Sequence, residues 1–276
     1  MRVKDFLDSL NENYTPTYIG ETTLGTPIPM ISKGSGESGR VLLIGATHAR
    51  ENITAPLLKA LMDEYQGDYP VDCVPILNVD GVTLVTEGLN DIPLRVRDRM
   101  ALLRVNGGST DFSLWKANIR AVDLNVNCDA NWGEGKGNLS YPSPSSYVGP
   151  CPFSEVESYA IKRLIDSTPY ALVVCYHSKG EEVYYGFGSN HKYKAQAQRV
   201  ANRLKYKLKR TPYSTGGIKD YFTLSTDRLG LTVEVGSDTL THPIGLEHLD
   251  ELKKRHSGII NLYAEIAKEL WTKYDL

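Results

Sequence analysis

The chain has 276 residues, of which 41% are hydrophobic and 23% charged, proportions that are ordinary for a globular protein with a sizeable core. Its 31 Lys and Arg residues nearly balance 33 Asp and Glu residues, so the net charge of −2 indicates neither a nucleic-acid nor a membrane partner. No apolar stretch approaches the roughly 20 residues of a membrane span, and Asp5 and Asp8 interrupt what would be a signal core. We therefore expect one domain, residues 1–276, in the cytoplasm.

The first third of the chain predicts a helix, an edge hairpin and a central α/β unit. Residues 1 to 12 have the apolar spacing of a short helix, and the segments 18–20 and 27–31 predict the hairpin because their prolines are tolerated only at strand edges. Val41-Leu42-Leu43-Ile44 predicts a buried strand, and a helix is expected from residue 53 to about 65. A second short strand, 73–77, is followed by Asn78-Val79-Asp80-Gly81, which predicts a turn.

Residues 86 to 150 show little periodicity and many Gly, Asn, Ser and Pro residues, which predicts a long functional loop in which Trp115 and Trp132 wall a cleft. Ser154-x-x-Glu157 is a capping-box pattern that predicts the start of a helix. The rest of the chain predicts buried strands at 171–176 and 231–236, a further strand at 182–187, a basic helix at 192–209 and a final helix at 247–274.

Metal-ligand side chains stand at the ends of these strands. His48 and Glu51 follow the first buried strand, His177 follows the strand 171–176, and Glu234 lies in the strand 231–236. Ligands of open α/β sheets bind at the carboxyl ends of the strands, and two histidines with one carboxylate are the protein ligands of an open catalytic zinc site. Bound zinc lowers the pKa of a water molecule to about 7, and Glu234 is suited to accept its proton.

Each of these residues also has a simpler interpretation. A lone His-x-x-Glu is a common pattern, His177 alone is consistent with a hydrogen-bonded core histidine, and Glu234 alone with a paired strand carboxylate. Their coincidence at strand ends favours the metal site. The other four histidines stand in polar surroundings, where no function is predicted for them: His191, His242, His248 and His256.

The same positions resemble the zinc metallocarboxypeptidase family, in family order from about residue 18 to 236. His48-Ala49-Arg50-Glu51 is similar to the family's ligand motif, Asn78-Val79-Asp80-Gly81 to its Asn-Pro-Asp-Gly turn, and Asp123-Leu124-Asn125 to its Asp-Leu-Asn segment. Residues 152–157 resemble its helix start, His177-Ser178 its third ligand, and residues 232–236 its catalytic strand. The resemblance implies an α/β/α sandwich with a mixed sheet of about eight strands. It also implies one Zn²⁺ per chain, held by His48, Glu51 and His177, with Glu234 as the general base.

The stretches 115–125 and 177–185 are similar to a bacterial branch, the γ-D-glutamyl-meso-diaminopimelate peptidases, which implies a cell-wall peptide or murein fragment as substrate. Ordinary carboxypeptidases follow the Asp-Leu-Asn segment with an arginine that clamps the terminal carboxylate, but this chain has Val126. An apolar side chain cannot pair with a carboxylate. The departure argues against simple trimming of C-terminal residues.

The resemblance also implies roles for other residues. Arg50 is expected to stabilise the oxyanion together with either Lys116 or Arg120, and loss of such a group typically costs about a hundred- to a thousandfold in rate. Lys219 falls where the family sets side-chain specificity, so a cation there would favour an acidic group, although a solvated loop lysine is the alternative. The residues expected to bind substrate are Asn125, Ser178, Tyr213 and Lys219.

We therefore expect a zinc peptidase that hydrolyses an amide bond of cell-wall peptides, the γ-D-Glu-meso-diaminopimelate bond in the first instance. One alternative is a zinc carboxypeptidase or amidase for other acidic peptides. Another is an inactive protein that binds wall fragments, which Val126 favours and the complete set of ligands with Glu234 disfavours.

Overall fold

The structure is a computed structural model that describes residues 2–36 and 39–274. Within these residues, eight strands form one mixed sheet in the order β1-β2-β4-β3-β5-β8-β6-β7. The strands are β1 (Thr17–Glu21), β2 (Pro27–Lys33), β3 (Arg40–Ile44), β4 (Val71–Val74), β5 (Tyr170–Ser178), β6 (Glu182–Tyr185), β7 (Lys207–Arg210) and β8 (Leu229–Val235).

The centre of the sheet is parallel and its edges contain antiparallel pairs. Strands β4, β3, β5 and β8 are parallel neighbours, whereas β2 pairs with β4 and β6 pairs with β8 in antiparallel fashion. All the residues of β5, and all but the first of β3, are buried, as expected for strands covered on both faces. The carboxyl ends of β3, β5 and β8 consequently meet at one edge of the sheet.

Helices cover both faces of the sheet. The helices of the described chain are α1 (Val3–Asn13), α2 (Thr54–Glu64), α3 (Val79–Glu87), α4 (Val96–Val105), α5 (Val156–Ser167), α6 (Lys194–Leu204), α7 (Ile218–Thr226), α8 (Leu249–His256) and α9 (Ile259–Tyr274). Neighbouring side chains of β5 show the two layers, since successive residues of a strand point to opposite faces. Tyr176 hydrogen-bonds to Tyr263 of α9 at 2.9 Å, whereas Cys175 faces Lys219 and Asp220 of α7. The predicted α/β/α sandwich with a mixed eight-stranded sheet is confirmed.

Two predicted features near the start of the chain differ from the structure. The segment 78–81 is a helix start rather than a turn: the side chain of Asn78 accepts a hydrogen bond from the Gly81 amide at 3.1 Å and caps α3. The segment 86–150 is not a continuous loop, because α4 lies within it. Leu102 of α4 packs into a second hydrophobic cluster that also contains Phe112, Trp115 and Ile119.

The later helices also differ from the expectation. The predicted capping box does not form: α5 begins at Val156, and Ser154 Oγ donates to the carboxylate of Glu155 instead. The basic stretch 192–209 divides into α6 and the edge strand β7, because Lys205 adopts a left-handed conformation that ends the helix. The final helix is interrupted at Gly258, whose φ of +71° is incompatible with a continuous α-helix.

Two further observations concern the described part of the chain as a whole. None of its helices combines the length and apolar character needed to cross a membrane. All four cysteines are free thiols, three buried and Cys151 exposed.

Candidate active site

A tight turn at the end of β3 positions the first two ligand-type residues. A side chain at Gly45 would lie 2.7 Å from both Leu58 Cδ1 and the Pro75 carbonyl oxygen, so only glycine fits there. The next amide, that of Ala46, donates to Thr54 Oγ1 at 2.8 Å, and Asn78 Nδ2 donates to the Thr47 carbonyl at 3.2 Å. The start of α2 and the cap of α3 therefore hold the turn from which His48 projects.

Three side chains converge at the carboxyl ends of β3 and β5. The Nδ1 atom of His48 lies 2.8 Å from Glu51 Oε1, and Nδ1 of His177 lies 2.9 Å from Glu51 Oε2. The two Nδ1 atoms are 3.1 Å apart. All three residues are at least 96% buried. Within the described residues, they are the group of His, Cys, Asp and Glu side chains whose spacing fits a metal ion.

The spacing and the chemistry of these donors fit zinc. A tetrahedral site with bonds of about 2.0–2.1 Å places neighbouring donors roughly 3.3 Å apart, close to the observed separations. The other ring nitrogen of His48, Nε2, lies 3.2 Å from Asp123 Oδ1, and a carboxylate in this position typically orients a metal-binding histidine. His48, Glu51 and His177 are therefore the residues that would hold the metal.

The electrostatics of the group hold its two buried carboxylates in the ionised form. Burial acts to raise the pKa of Glu51, but the two histidines outweigh it and hold the pKa well below the ordinary value. Burial acts likewise on Asp123, where Lys116 and His48 hold the pKa well below the usual range. Both carboxylates are consequently ionised in an interior where uncompensated charge is costly.

Glu234 lies beside this group on β8. Its Cα pairs in register with His177 of β5 on one side and with Glu182 of β6 on the other. Burial, reinforced by the charges of Glu51 and Glu182, raises the pKa of Glu234 to about 7 despite the nearby His177. A carboxyl group with such a pKa can both accept and return a proton near neutral pH.

The structure separates the two residues proposed for oxyanion stabilisation. Lys116 Nζ lies 3.4 Å from Asp123 Oδ2, and its charge acts on both His48 and Glu234. Arg120 is directed elsewhere: its half-exposed side chain lies 3.6 Å from Glu155 and lines a separate cavity with residues of α4. Only Lys116 of the pair is therefore part of the group around the candidate metal site.

Arg50 and Ser178 have buried donors that are unused within the described chain. The Nε atom of Arg50 and the Oγ atom of Ser178 lack hydrogen-bond partners, although the Ser178 amide donates to Glu51 Oε2 at 3.3 Å. His242, for which no function was predicted, has a buried Nδ1 atom without a hydrogen-bond partner among the described residues. Its pKa is lowered mainly by burial and, to a smaller extent, by the positive charge of Arg50. The loop after β8 thus brings a histidine to the site from a position that no sequence motif marks.

A cavity of about 190 Å³ adjoins Glu234. Asn125 and Lys219, which the resemblance implied as substrate-binding residues, both line it, and Lys219 is buried beside Asp220 rather than solvated. Tyr213 is 91% exposed and lies on the loop next to Ser214, which also lines the cavity.

The sequence did not reveal the contacts of Asp123, and it predicted the wrong place for Trp115. Asp123 was identified only through the Asp-Leu-Asn segment, yet it joins His48 to Lys116. Trp115 does not wall a cleft: it is 1% exposed, belongs to the second hydrophobic cluster and donates its indole hydrogen to the Asn118 carbonyl at 3.2 Å. The backbone of this tryptophan still supports the site, because its carbonyl accepts from the Arg50 amide at 3.0 Å.

An α/β/α sandwich with two histidines and a glutamate at its strand ends, and a second glutamate beside them, defines a zinc metallopeptidase of the carboxypeptidase type. Residues 3–243 match the family described as Peptidase_M14, zinc carboxypeptidase. The chain belongs to this family, which confirms the resemblance identified from the sequence.

Two curated relatives match most of the chain. The chain is 31% identical over 264 residues to gamma-D-glutamyl-L-diamino acid endopeptidase 1 of Lysinibacillus sphaericus, which covers 88% of this chain and 65% of the relative. It is 30% identical over 266 residues to the uncharacterized protein YqgT of Bacillus subtilis (strain 168), covering 88% of this chain and 69% of the relative. The chain thus spans about two thirds of the length of these relatives.

Among solved structures, carboxypeptidase A from Helicoverpa armigera is 18% identical, with a TM-score of 0.71 over 96% of this chain and 71% of that one. The murein-tripeptide amidase MpaA from Escherichia coli O157 is 22% identical, with a TM-score of 0.54 over 92% of this chain and 91% of that one. At these identities the two structures support the fold.

Proposed function

We propose that this chain is a zinc-dependent peptidase that hydrolyses the γ-D-Glu-diaminopimelate amide bond of cell-wall peptides. The observation that carries the proposal is the convergence of His48, Glu51 and His177 next to Glu234. A site built only to hold a metal or a ligand does not need a partly buried carboxyl group with a pKa of about 7 beside it. The substrate is inferred from the activities after which the Lysinibacillus sphaericus relative and the murein-tripeptide amidase are named.

The side chains around the site have distinct tasks in this reaction. Zinc, when bound, supplies a Lewis acid that polarises the amide carbonyl and makes water acidic enough to lose a proton near pH 7. Glu234 accepts that proton and then donates it to the departing amine, which leaves as a neutral group. Lys116 and Arg50 provide positive charge and N–H donors for the oxygen on which negative charge develops. Asp123 holds His48 and Lys116 in position.

The substrate side of the site lacks the carboxylate clamp of ordinary carboxypeptidases. Val126 stands where an arginine would clamp a terminal carboxylate, and its apolar side chain offers no donor. Asn125, one residue earlier, lines the cavity beside Glu234 and can orient the group that follows the cleaved bond.

The experiment is incubation of the zinc-loaded protein with L-Ala-γ-D-Glu-meso-diaminopimelate, with mass spectrometry of the products. Free diaminopimelate should appear, should be absent when a chelator has removed the metal, and should return when zinc is added back. The matched control is the α-linked L-Ala-L-Glu-meso-diaminopimelate. Cleavage of ordinary acidic peptides alone would support the carboxypeptidase alternative, and binding of the fragment without any product would support the inactive binding protein.

The proposed function includes a cellular location. The cytoplasmic location expected from the sequence stays a prediction, and fractionation of cells that express the protein would test it.

A further inference from the structure

The cavity beside Glu234 contains a buried pair of opposite charges. Lys219 is 5% exposed and Asp220 is 2% exposed, and the Lys219 ammonium group donates to Asp220 Oδ1. Asn125 and Gly217 line the same cavity of about 190 Å³. Because Glu234 is proposed to protonate the departing amine, the residue that carries this amine would lie nearest the cavity, and its side chain would be selected here.

Lys219 has no hydrogen left with which to bind a substrate. An ammonium group has three N–H donors. In Lys219 they go to the Gly186 carbonyl at 2.8 Å, to Thr211 Oγ1 at 3.1 Å and to Asp220 Oδ1. The positive charge of Lys219 is therefore both paired and fully hydrogen-bonded. A substrate carboxylate would have to displace one of these bonds.

Asp220 has the opposite property. Its Oδ1 atom accepts from Lys219 and from Ser214 Oγ, the latter at 2.8 Å. Its Oδ2 atom receives no hydrogen bond from any described residue, although Asp220 lines the cavity. An ionised carboxylate has about four lone-pair sites, so half of this carboxylate is available to a donor from the cavity.

Glycine keeps the free oxygen open. A Cβ atom at Gly217 would lie 2.8 Å from Asp220 Oδ2 and 3.4 Å from Asn125 Oδ1. Gly217 has a φ of −76°, which any residue can adopt, so its backbone conformation does not require glycine here. The absence of a side chain leaves two oxygen acceptors facing the same space.

We propose that Asp220 is the specificity residue of this cavity and binds the distal amino group of a diamino acid. Lys219 holds Asp220 in place as its counter-ion and does not contact the substrate. The inference rests on the proposed function for the bond that is cleaved, and it replaces the expectation that Lys219 favours an acidic group. A distal carboxylate, as in diaminopimelate, is accommodated but is not the selected feature.

The first test uses the unmodified protein and four peptides of the form L-Ala-γ-D-Glu-X. We expect kcat/KM for X = meso-diaminopimelate and X = L-lysine to agree within about tenfold. L-norleucine and L-2-aminoadipate lack the distal amine, and their kcat/KM should fall by about a hundredfold because Asp220 Oδ2 would be buried without a partner. Equal rates for lysine and norleucine would overturn the proposal, and a preference for 2-aminoadipate over lysine would do the same.

The second test changes the protein. Asp220→Asn keeps the shape but removes the charge, and Gly217→Ala places a methyl group against Oδ2 while keeping Asp220. Each variant should reduce the lysine-to-norleucine ratio of kcat/KM to about threefold or less. Gly137→Ala is the matched control, because nothing lies within 4 Å of the added Cβ, and it should keep the wild-type ratio. If both cavity variants keep that ratio while folded, Asp220 does not bind the amine.

The outcomes separate this inference from the proposed function. Cleavage of the γ-linked peptides without a preference for the amine would refute the role of Asp220 and leave the peptidase activity standing. If only α-linked peptides are cleaved, and lysine is still preferred over norleucine, the proposed substrate is wrong and the role of Asp220 stands.

Discussion

The histidines of the candidate zinc site each contact Glu51, and His48 also contacts Asp123, which in turn lies against Lys116. This chain of contacts places a positive charge near the reacting group without direct contact between Lys116 and the metal ligands. It also distinguishes Lys116 from Arg120, which the sequence could not do. Only three residues separate the two in sequence, but the intervening turn directs Arg120 to Glu155 on another surface.

Substitution of these two residues tests the distinction. Lys116→Met should lower kcat by about a hundred- to a thousandfold with a smaller change in KM, because its charge acts on the transition state. Arg120→Met, the matched control, should change kcat by less than about threefold. Steady-state kinetics on the diaminopimelate peptide measures both changes. A larger loss of kcat in Arg120→Met than in Lys116→Met would assign oxyanion stabilisation to Arg120.

Among individual residues, the metal ligands could be predicted from the sequence, whereas the hydrogen bonds of Lys219 in the cavity beside Glu234 could not. His48, His177 and Glu234 stand at or near the ends of recognisable buried strands, and strand ends meet at one edge of the sheet. The saturation of Lys219 depends on Gly186 and Thr211, which fold against it from the loop after β6 and from the residue that follows β7. No spacing in the sequence indicates these contacts.

Among the elements, the cap of α3 links helix formation to the site. Asn78 is fully buried, accepts from the Gly81 amide and donates to the carbonyls of Thr47 and Ala117. Asn78→Ala should reduce the free energy of unfolding by about 3 kcal/mol, because a cap is lost and buried carbonyls lose their donor. Urea denaturation measures this, with exposed Asn90→Ala expected to stay within about 0.5 kcal/mol of wild type.

The first turn of α5 contains a carboxyl group whose environment favours the protonated form. Burial, reinforced by Glu155 and Asp80, raises the pKa of Glu157 to about 7. Its Oε1 atom has no hydrogen-bond partner among the described residues, while Asn118 Nδ2 lies 3.3 Å from Oε2. The folded state therefore retains a proton that the unfolded state loses above its ordinary pKa of 4.5.

This shift has a definite sign in a pH series. Stability from the protonated carboxyl group of Glu157 is fully present below about pH 4.5 and is lost as the pH rises through about 7. Glu157→Gln, which stays neutral, should gain on wild type by up to about 3 kcal/mol in unfolding free energy between pH 5 and pH 8. Chemical denaturation at several pH values measures the difference, and a difference that does not change with pH would refute the shift.

Element boundaries were predictable where periodicity alone decides them. The core strands β3, β5 and β8 fall within two residues of their predicted starts and ends. The prediction fails where backbone geometry decides: Lys205 and Gly258 adopt positive φ values that end α6 and separate α8 from α9. It fails also at α4, whose surface is so polar that only Leu102 is buried in the structure.

For the whole molecule, metal binding and folding are linked because the ligands come from separate parts of the chain. Glu51 and His177 are 126 residues apart, so the unfolded chain cannot present the same site. Zinc at about a thousandfold excess over its Kd should raise the unfolding free energy of the stripped protein by about 4 kcal/mol. Thermal unfolding with and without zinc measures this, and Glu51→Gln should show a much smaller rise; an equal rise would place the metal elsewhere.

The most direct test of the account is a comparison of wild type with Glu234→Gln, in which zinc content and diaminopimelate release are measured on the same samples. Glu234 carries the proton transfer in the proposed mechanism but is not one of the three converging metal-site residues. We predict one zinc ion per chain in both proteins and, in the variant, loss of hydrolysis by at least about a thousandfold. Hydrolysis by the variant at the wild-type rate would contradict the assignment of Glu234 and the mechanism that depends on it.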